Sequence, residues 1–360
     1  MQKHLISLAF CLMFAIAAKC DTVSFSFQVD GGEVRYGNVV CPDENRQNVL
    51  LVYVNHRMID SDKNREYYSE LTGRLLQEGI SCCYYDNRKQ SAENASSCLT
   101  LYDMADDAAA VYRSLKNSDK FRNYKIGFYG ASEAGSSALI AASMVSSPAF
   151  LIQRSACVIP EIEKDFYTYA LAAFQLHGIF TDPKCLGMPY HDYVSLIWGM
   201  LENMRDNKIG NVEEYVQTSW DRYSKDINMQ MKDAQRVFCG LLAGLINRIN
   251  MECNGPRLSW DARPYYKKVR CPILFMCGSN DVNVYCYPNL VEFEKIMYEN
   301  NHKKYNTAVF NVNHFLLTPV EVIAEHRGDE SKASKKDSIL DTVRKWLVMQ
   351  INNKLNKNQS

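Results

Sequence analysis

Three side chains in this sequence have the types and the order that acyl transfer requires. Ser132 lies in the stretch GASEAG, and Asp281 and His314 each follow a later apolar segment. A serine hydroxyl is a weak nucleophile, and it needs an adjacent base that a third group holds in place. We therefore predict Ser132 as the nucleophile, His314 as the base and Asp281 as the acid. Asp86 also follows an apolar segment, but it precedes the serine, and the order serine, acid, histidine favours Asp281.

The residues around Ser132 have the small size that a tight turn between a strand and a helix requires. Gly130 and Ala134 flank it at positions where the chain nearly doubles back on itself. Such a turn exposes the hydroxyl and directs the first amides of the helix at it. Those amides lie at the positive end of the helix, which suits a developing oxyanion. We therefore expect the backbone amide of Glu133 to be an oxyanion donor.

The elements that must position these residues alternate between strands and helices. Strands are predicted as a hairpin over 22–40 and then at 49–54, 80–85, 124–129, 149–159, 272–277 and 306–311. Helices are predicted between them at 63–77, 102–116, 133–143 and 289–300, with a final helix at 338–347. This alternation predicts an α/β fold in which helices flank a mostly parallel central sheet.

The alternation stops between residues 160 and 262, where the sequence is typical of helices and rich in bulky aromatic side chains. We interpret residues 21–360 as one α/β domain that carries this segment as a helical cap insertion. A cap of this composition is expected to cover the pocket and to select an apolar acyl or aryl group.

The composition excludes several kinds of partner. The chain has 360 residues, with 41 basic and 41 acidic side chains and a formal net charge of zero. Because the chain has no surplus of basic residues, nucleic acid is not an expected partner. A small ester or a peptide is the expected substrate. The predicted chemistry needs no cofactor, and the cysteines and histidines show no spacing typical of a metal site.

The first 20 residues predict a secretory signal peptide. A short basic start precedes the uncharged run Leu5–Ala18, and small residues follow near its end. That run is shorter than the roughly 20 apolar residues that a membrane span needs. We therefore expect cleavage between Ala17 and Cys20, no stable membrane insertion, and secretion to the exterior, a periplasm or a secretory lumen.

The chain has 13 cysteines, and an oxidising compartment would allow some of them to pair. Cys82 and Cys83 are adjacent on a predicted strand, so they are expected to point to opposite faces of the sheet. Cys83, Cys271 and Cys277 are expected to be buried free thiols that act as small hydrophobic side chains.

The residues around the predicted triad resemble the α/β-hydrolase superfamily, in particular secreted bacterial-type esterases and serine-aminopeptidase-like hydrolases. The stretch GASEAG is similar to that group's elbow G-H-S-E-G-G, and YDNR at residues 85–88 resembles its Y-D-x-R-G loop. Residues 100–108 resemble its helix before the elbow, and residues 268–281 resemble its acid-bearing strand. The resemblance covers residues 45–160 and 260–318. It implies hydrolysis of esters, thioesters or amides through an acyl-enzyme.

One loop departs from that group. Its usual His-Gly pair, whose glycine lets the loop supply an oxyanion amide, is replaced after Val54 by Asn55-His56-Arg57. His56 and Arg57 are therefore the candidates for the second backbone donor. A positive φ at His56 would be strained there. Loss of one such donor typically lowers the rate by about 10²–10³-fold.

Three alternatives to an esterase stay open. A peptidase that cuts from a free N-terminus would need an acidic cluster for the amine, and Glu161, Glu163 and Asp165 are candidates. A non-catalytic binding protein on the same fold is favoured by the altered loop and disfavoured by the retention of all three triad residues. An acyltransferase would use the same acyl-enzyme with an alcohol in place of water.

Overall fold

The computed structural model describes residues 21–56, 61–88, 99–172, 186–227, 233–251, 257–326 and 335–355. The predicted signal peptide over residues 1–20 and the candidate donor Arg57 lie outside these described residues.

An eight-stranded sheet runs through the described part of the chain, in the order β1-β2-β4-β3-β5-β6-β7-β8. The strands are β1 (Asp21–Gln28), β2 (Val34–Cys41), β3 (Val49–Tyr53), β4 (Ser81–Tyr85), β5 (Lys125–Ala131), β6 (Leu151–Arg154), β7 (Ile273–Gly278) and β8 (Tyr305–Phe310). β2 pairs antiparallel with β1 and with β4. Every other neighbouring pair is parallel. The predicted mostly parallel α/β sheet is confirmed.

Helices connect the strands and cover both faces of the sheet. They are α1 (Ser61–Gln77) after β3, α2 (Leu101–Asn117) after β4 and α3 (Glu133–Met144) after β5. Towards the C-terminus they are α8 (Arg263–Tyr266), which precedes β7, then α9 (Cys286–Glu299), α10 (Pro319–His326) and α11 (Lys336–Leu355). The central strands β3, β4 and β7 are buried along their whole length, as expected for parallel strands with helices on both faces.

Three elements differ from the sequence prediction. β6 covers only Leu151–Arg154, because Ser155 takes a left-handed backbone conformation with φ of 49° and the chain then leaves the sheet. The helix Pro319–His326 was not predicted, and the final helix is longer than residues 338–347.

The segment between β6 and β7 is helical in its described parts. Its elements are α4 (Glu161–Phe166), a π-helical turn (Tyr167–Ala172), α5 (Tyr190–Arg205), α6 (Val212–Tyr223), a 3₁₀ turn (Ser224–Asp226) and α7 (Ala234–Met251). Large side chains such as Trp220, Tyr223 and Phe238 are buried in a hydrophobic cluster of this segment's own. Its bulky residues therefore stabilise the segment itself. No helix among the described residues is long and apolar enough to cross a bilayer.

The cysteine predictions are wrong at one position. Cys82 and Cys83 pack in the hydrophobic clusters on opposite faces of the sheet. Cys83 is a buried free thiol, and Cys271 is buried as well. Cys277 instead forms a disulfide with Cys286, so its prediction as a free thiol is wrong. The end of β7 and the start of α9 bring the two Cα atoms to 5.4 Å, within the usual range for a disulfide.

Two glycines of the α1 region provide a matched test of the fold. Gly79 has φ of 78°, and a Cβ there would collide with the backbone carbonyl of Asn45. Gly73 lies within α1 and has open space where a Cβ would stand. We expect Gly79→Ala to lower the free energy of unfolding by about 1–3 kcal/mol. Gly73→Ala should raise it by about 0.5–1 kcal/mol, because alanine favours the helix. Urea unfolding of both variants measures this, and equal effects would contradict the turn geometry.

Candidate functional site

Ser132 lies at the junction of β5 and α3 in a backbone conformation that side-chain-bearing residues rarely adopt. Its φ is 55° and its ψ is −129°. The Ser132 amide donates to the carbonyl of Arg154 at 2.8 Å, and the Ser132 carbonyl accepts from the amide of Gly135 at 2.9 Å. These two bonds tie the strained residue to β6 on one side and to the first turn of α3 on the other.

Small neighbours make this turn possible. A Cβ on Gly130 would collide with the backbone carbonyl of Ala134, and a Cβ on Gly135 would lie 2.7 Å from the Cβ of Ala156. The sequence prediction that position 130 must be small is therefore explained by the direct approach of strand and helix. Gly135, which the sequence analysis did not single out, allows α3 to pack against the segment that follows β6.

Asp281 and His314 are hydrogen-bonded to each other at the ends of the last two strands. His314 Nδ1 lies 2.8 Å from Asp281 Oδ2. The other oxygen, Asp281 Oδ1, accepts the backbone amides of Asn283 and Val284, each at 2.9 Å. Asp281 is 2% exposed. The carboxylate is therefore fixed from both sides, and it can orient the imidazole and stabilise its protonated form.

Ser132 and His314 line one cavity of about 320 Å³. Cys157, a second potential nucleophile, lines the same cavity. Burial raises the pKa of the Cys157 thiol well above its ordinary value, and the neutral thiol is a poor nucleophile. Among the described residues of this cavity, the serine is therefore the better-placed nucleophile. The arrangement of Ser132, His314 and Asp281 suits nucleophilic attack on a carbonyl carbon.

Comparison with solved structures shows which fold this is. An esterase from Pyrococcus furiosus superposes with a TM-score of 0.50 at 11% sequence identity, over 93% of this chain and 92% of the other. A 2,6-dihydroxy-pseudo-oxynicotine hydrolase gives a TM-score of 0.50 at 14% identity, over 96% of this chain and 72% of the other. The chain has the α/β-hydrolase fold. No family model matches it, and no characterised protein matches it by sequence.

In this α/β-hydrolase fold, the loop after β3 lies beside the cavity. His56 Nε2 lies 3.2 Å from Glu133 Oε2, and both side chains line the cavity. His56 is not among the described residues with positive φ, so the expected strain at this position is absent. Asn55 is fully buried and donates to the carbonyl of Tyr85 at 2.6 Å, while Asn87 donates to the carbonyl of His56 at 3.3 Å. The loop is thus held in place, although Arg57 itself lies outside the described residues.

Four charged side chains line the cavity on the side of the insertion. Lys164 Nζ lies 2.7 Å from Glu161 and 2.7 Å from Asp165. The guanidinium of Arg257 bonds Glu161 and lies 2.6 Å from Asp165. All four line the cavity, and we call them the charged ring. Two anions and two cations balance within it.

Burial and charge act in opposite directions on this ring. Burial by itself raises the pKa of Glu161, but Lys164 and Arg257 outweigh it and lower the pKa to about 2. Burial by itself lowers the pKa of Lys164, but Glu161 and Asp165 outweigh it and raise that pKa above its ordinary value. Glu161 and Lys164 are therefore charged at neutral pH.

The acidic cluster predicted from the sequence is only part of this wall. Of Glu161, Glu163 and Asp165, Glu161 and Asp165 line the cavity and Glu163 does not. Lys164 and Arg257 were not predicted as cavity residues, and Arg257 meets α4 only through the fold. The expectation that the insertion selects an apolar group stays a prediction, although the described residues that it contributes to the cavity are polar or charged. They are Glu161, Lys164, Asp165, Thr168, Tyr169, Arg248 and Arg257.

Glu161→Gln tests the ring through its pH dependence. Because the folded-state pKa of about 2 lies below the ordinary 4.5, ionised Glu161 stabilises the folded state above pH 4.5. That contribution is lost as the pH falls toward 2. We expect the variant to lose about 3–5 kcal/mol of unfolding free energy at pH 7, because two buried cations lose a partner. The deficit should shrink at pH 3. Urea unfolding at both pH values measures it.

Glu163→Gln is the matched control on the same helix. Glu163 is partly exposed and lies outside the cavity. Its substitution should change the unfolding free energy by no more than about 0.5 kcal/mol at either pH. A deficit in Glu161→Gln that did not depend on pH would contradict the ion-pair account.

Proposed function

We propose that this chain is a secreted serine hydrolase that acts on carboxylic esters or thioesters through an acyl-enzyme. The observation that carries the proposal is the strained conformation of Ser132 at the edge of a cavity that His314 also lines. The hydrogen bond from His314 to the buried Asp281 supplies the orienting group that a serine nucleophile needs.

In the proposed mechanism, Ser132 Oγ attacks the carbonyl carbon of the ester while His314 Nε2 accepts the hydroxyl proton. The resulting oxyanion is bound by the backbone amide of Glu133, with a second amide from the loop at His56 and Arg57. His314 then returns the proton to the leaving alcohol or thiol, and the acyl group stays on Ser132. Water then attacks this ester while His314 accepts its proton. His314 returns that proton to Ser132 Oγ, and the acid is released.

The size and polarity of the cavity narrow the substrate. A volume of about 320 Å³ lies at the small end of ligand pockets. Because the charged ring forms one wall, we propose a small ester with hydrogen-bonding groups. The ring also argues against the peptidase alternative. Glu161 and Asp165 are already neutralised by Lys164 and Arg257, so they offer no surplus negative charge for a substrate ammonium group.

Secretion is part of the proposal and rests on two supports. One is the signal-like composition of residues 1–20. The other is the disulfide between Cys277 and Cys286, which is typical of an oxidising compartment.

Labelling with a fluorophosphonate probe tests the nucleophile. We expect the mature protein to be labelled and the Ser132→Ala variant not to be, because the probe bonds only an activated hydroxyl. Ser143→Ala, at the other end of the same helix, is the matched control and should keep the full labelling. Labelling in gel and intact mass measure the outcome. If folded wild-type protein took up no label, the hydrolase proposal would fail and a binding protein on this fold would be favoured.

Asp281→Asn tests the acid. An amide in place of the carboxylate favours the wrong tautomer of His314, and the expected loss is about 10⁴-fold in kcat with little change in KM. The rejected candidate Asp86 gives the control, since Asp86→Asn should stay near the wild-type rate. Steady-state hydrolysis of p-nitrophenyl acetate measures both. Equal losses in the two variants would reject Asp281 as the acid.

A further inference from the structure

A second cavity lies beside the residues that follow His314, on the face of the sheet that α1 and α11 cover. Its volume is about 570 Å³. β5 and β6 contribute Tyr129 and Arg154 to its lining, and α1 contributes Tyr67. Phe315 and Leu316, which directly follow His314, form another part of the wall. None of these side chains has a part in the proposed hydrolysis.

The base of this cavity is a buried cation. Arg154 is 7% exposed, and its guanidinium donates to the Tyr67 hydroxyl at 2.8 Å and to the His314 carbonyl at 3.4 Å. Within the described ranges, no carboxylate forms an ion pair with it. A buried charge is costly without a counter-charge. The guanidinium has five N–H donors in a planar fork that matches a carboxylate.

The carboxylates that line the same cavity do not supply that counter-charge. Glu70 pairs with Lys336 at 3.0 Å and with Arg74 at 2.8 Å. Glu66 is an exposed residue of α1. Lys63 and Lys336 also line the cavity, so its cations outnumber its anions.

The rest of the wall is apolar and accessible. Tyr67 is 53% exposed and Phe315 is 71% exposed, although both are large aromatic side chains. Ile339 and Leu340 of α11 complete the apolar lining. A ligand that spans this cavity therefore meets a cation at one end and hydrocarbon along its length.

We propose that this cavity is a second ligand site, which binds a small carboxylate with an apolar chain. The carboxylate bonds Arg154 at the base, with Lys336 nearby, and the chain lies against Tyr67 and Phe315. Because Arg154 also donates to the His314 carbonyl, the ligand contacts the same residue that holds the backbone of the histidine loop.

The test is isothermal titration of Ser132→Ala protein with octanoate, and with acetate as the anion without a chain. This background removes any turnover, so the result does not depend on whether Ser132 is a nucleophile. Arg154→Gln removes the basal charge. Lys336→Glu changes a residue whose side chain is 43% exposed. This variant tests the same site if Arg154→Gln impairs folding. Arg270→Gln removes an exposed charge that lines a different cavity and is the matched control.

We expect octanoate to bind more tightly than acetate. Arg154→Gln should weaken octanoate binding by about tenfold or more, because the carboxylate loses its charge-assisted hydrogen bond. Lys336→Glu should weaken it in the same direction, and Arg270→Gln should leave it unchanged. Failure of octanoate to bind would overturn the proposal. Equal binding by Ser132→Ala protein with and without Arg154→Gln or Lys336→Glu would overturn it as well.

Discussion

The cavity depends on one constraint, the left-handed backbone of Ser132 between β5 and α3. A side-chain-bearing residue in such a conformation costs about 1–3 kcal/mol, and the surrounding structure must enforce it. Two close contacts hold the backbone in this conformation. Gly130 packs against the Ala134 carbonyl and Gly135 packs against Ala156, and neither position has space for a Cβ atom. Because the strand and helix approach so closely, the serine side chain has no space within the sheet and lies at its edge. The same close approach aligns the start of α3, so the proposed oxyanion amide of Glu133 is positioned by the contact that strains Ser132.

The parallel register of β7 and β8 positions Asp281 and His314. Gly278 pairs with Phe310, so both strands end at the same level and their following loops meet. A Cβ on Gly278 would collide with the Val312 carbonyl, which shows how closely the loops that carry Asp281 and His314 pack. The disulfide from Cys277 to Cys286 closes the acid loop at its two ends. Side-chain freedom is thus removed from both partners before any substrate arrives, which is the form of preorganisation that acyl transfer requires.

The sequence predicts the features that depend on neighbouring residues, and it does not predict those that depend on residues far apart in the chain. The strands, the helices beside them and the turn at Ser132 come from local patterns, namely apolar runs and small residues at a strand–helix junction, and the structure contains them. The order of Ser132, Asp281 and His314 could be interpreted because each follows a strand of a parallel sheet. The structure brings them to one edge, while their catalytic roles stay predictions. What the sequence could not predict depends on distant partners. No local sequence pattern indicates that Arg257 pairs with residues of α4. No such pattern shows that the aromatic residues of the insertion pack on one another.

The charged ring has a consequence for the proposed reaction. Two unpaired carboxylates in the cavity wall would repel the negative charge that the proposed attack develops on a substrate oxygen. Lys164 and Arg257 cancel it, since each cation contacts both carboxylates. The ring therefore offers hydrogen-bonding groups without a surplus of negative charge that would oppose the proposed oxyanion. A purely apolar wall would also avoid repulsion, but it could not bind a polar substrate. The neutral ring meets both requirements, and this is why we consider the acidic residues of α4 part of a substrate wall and not an amine site.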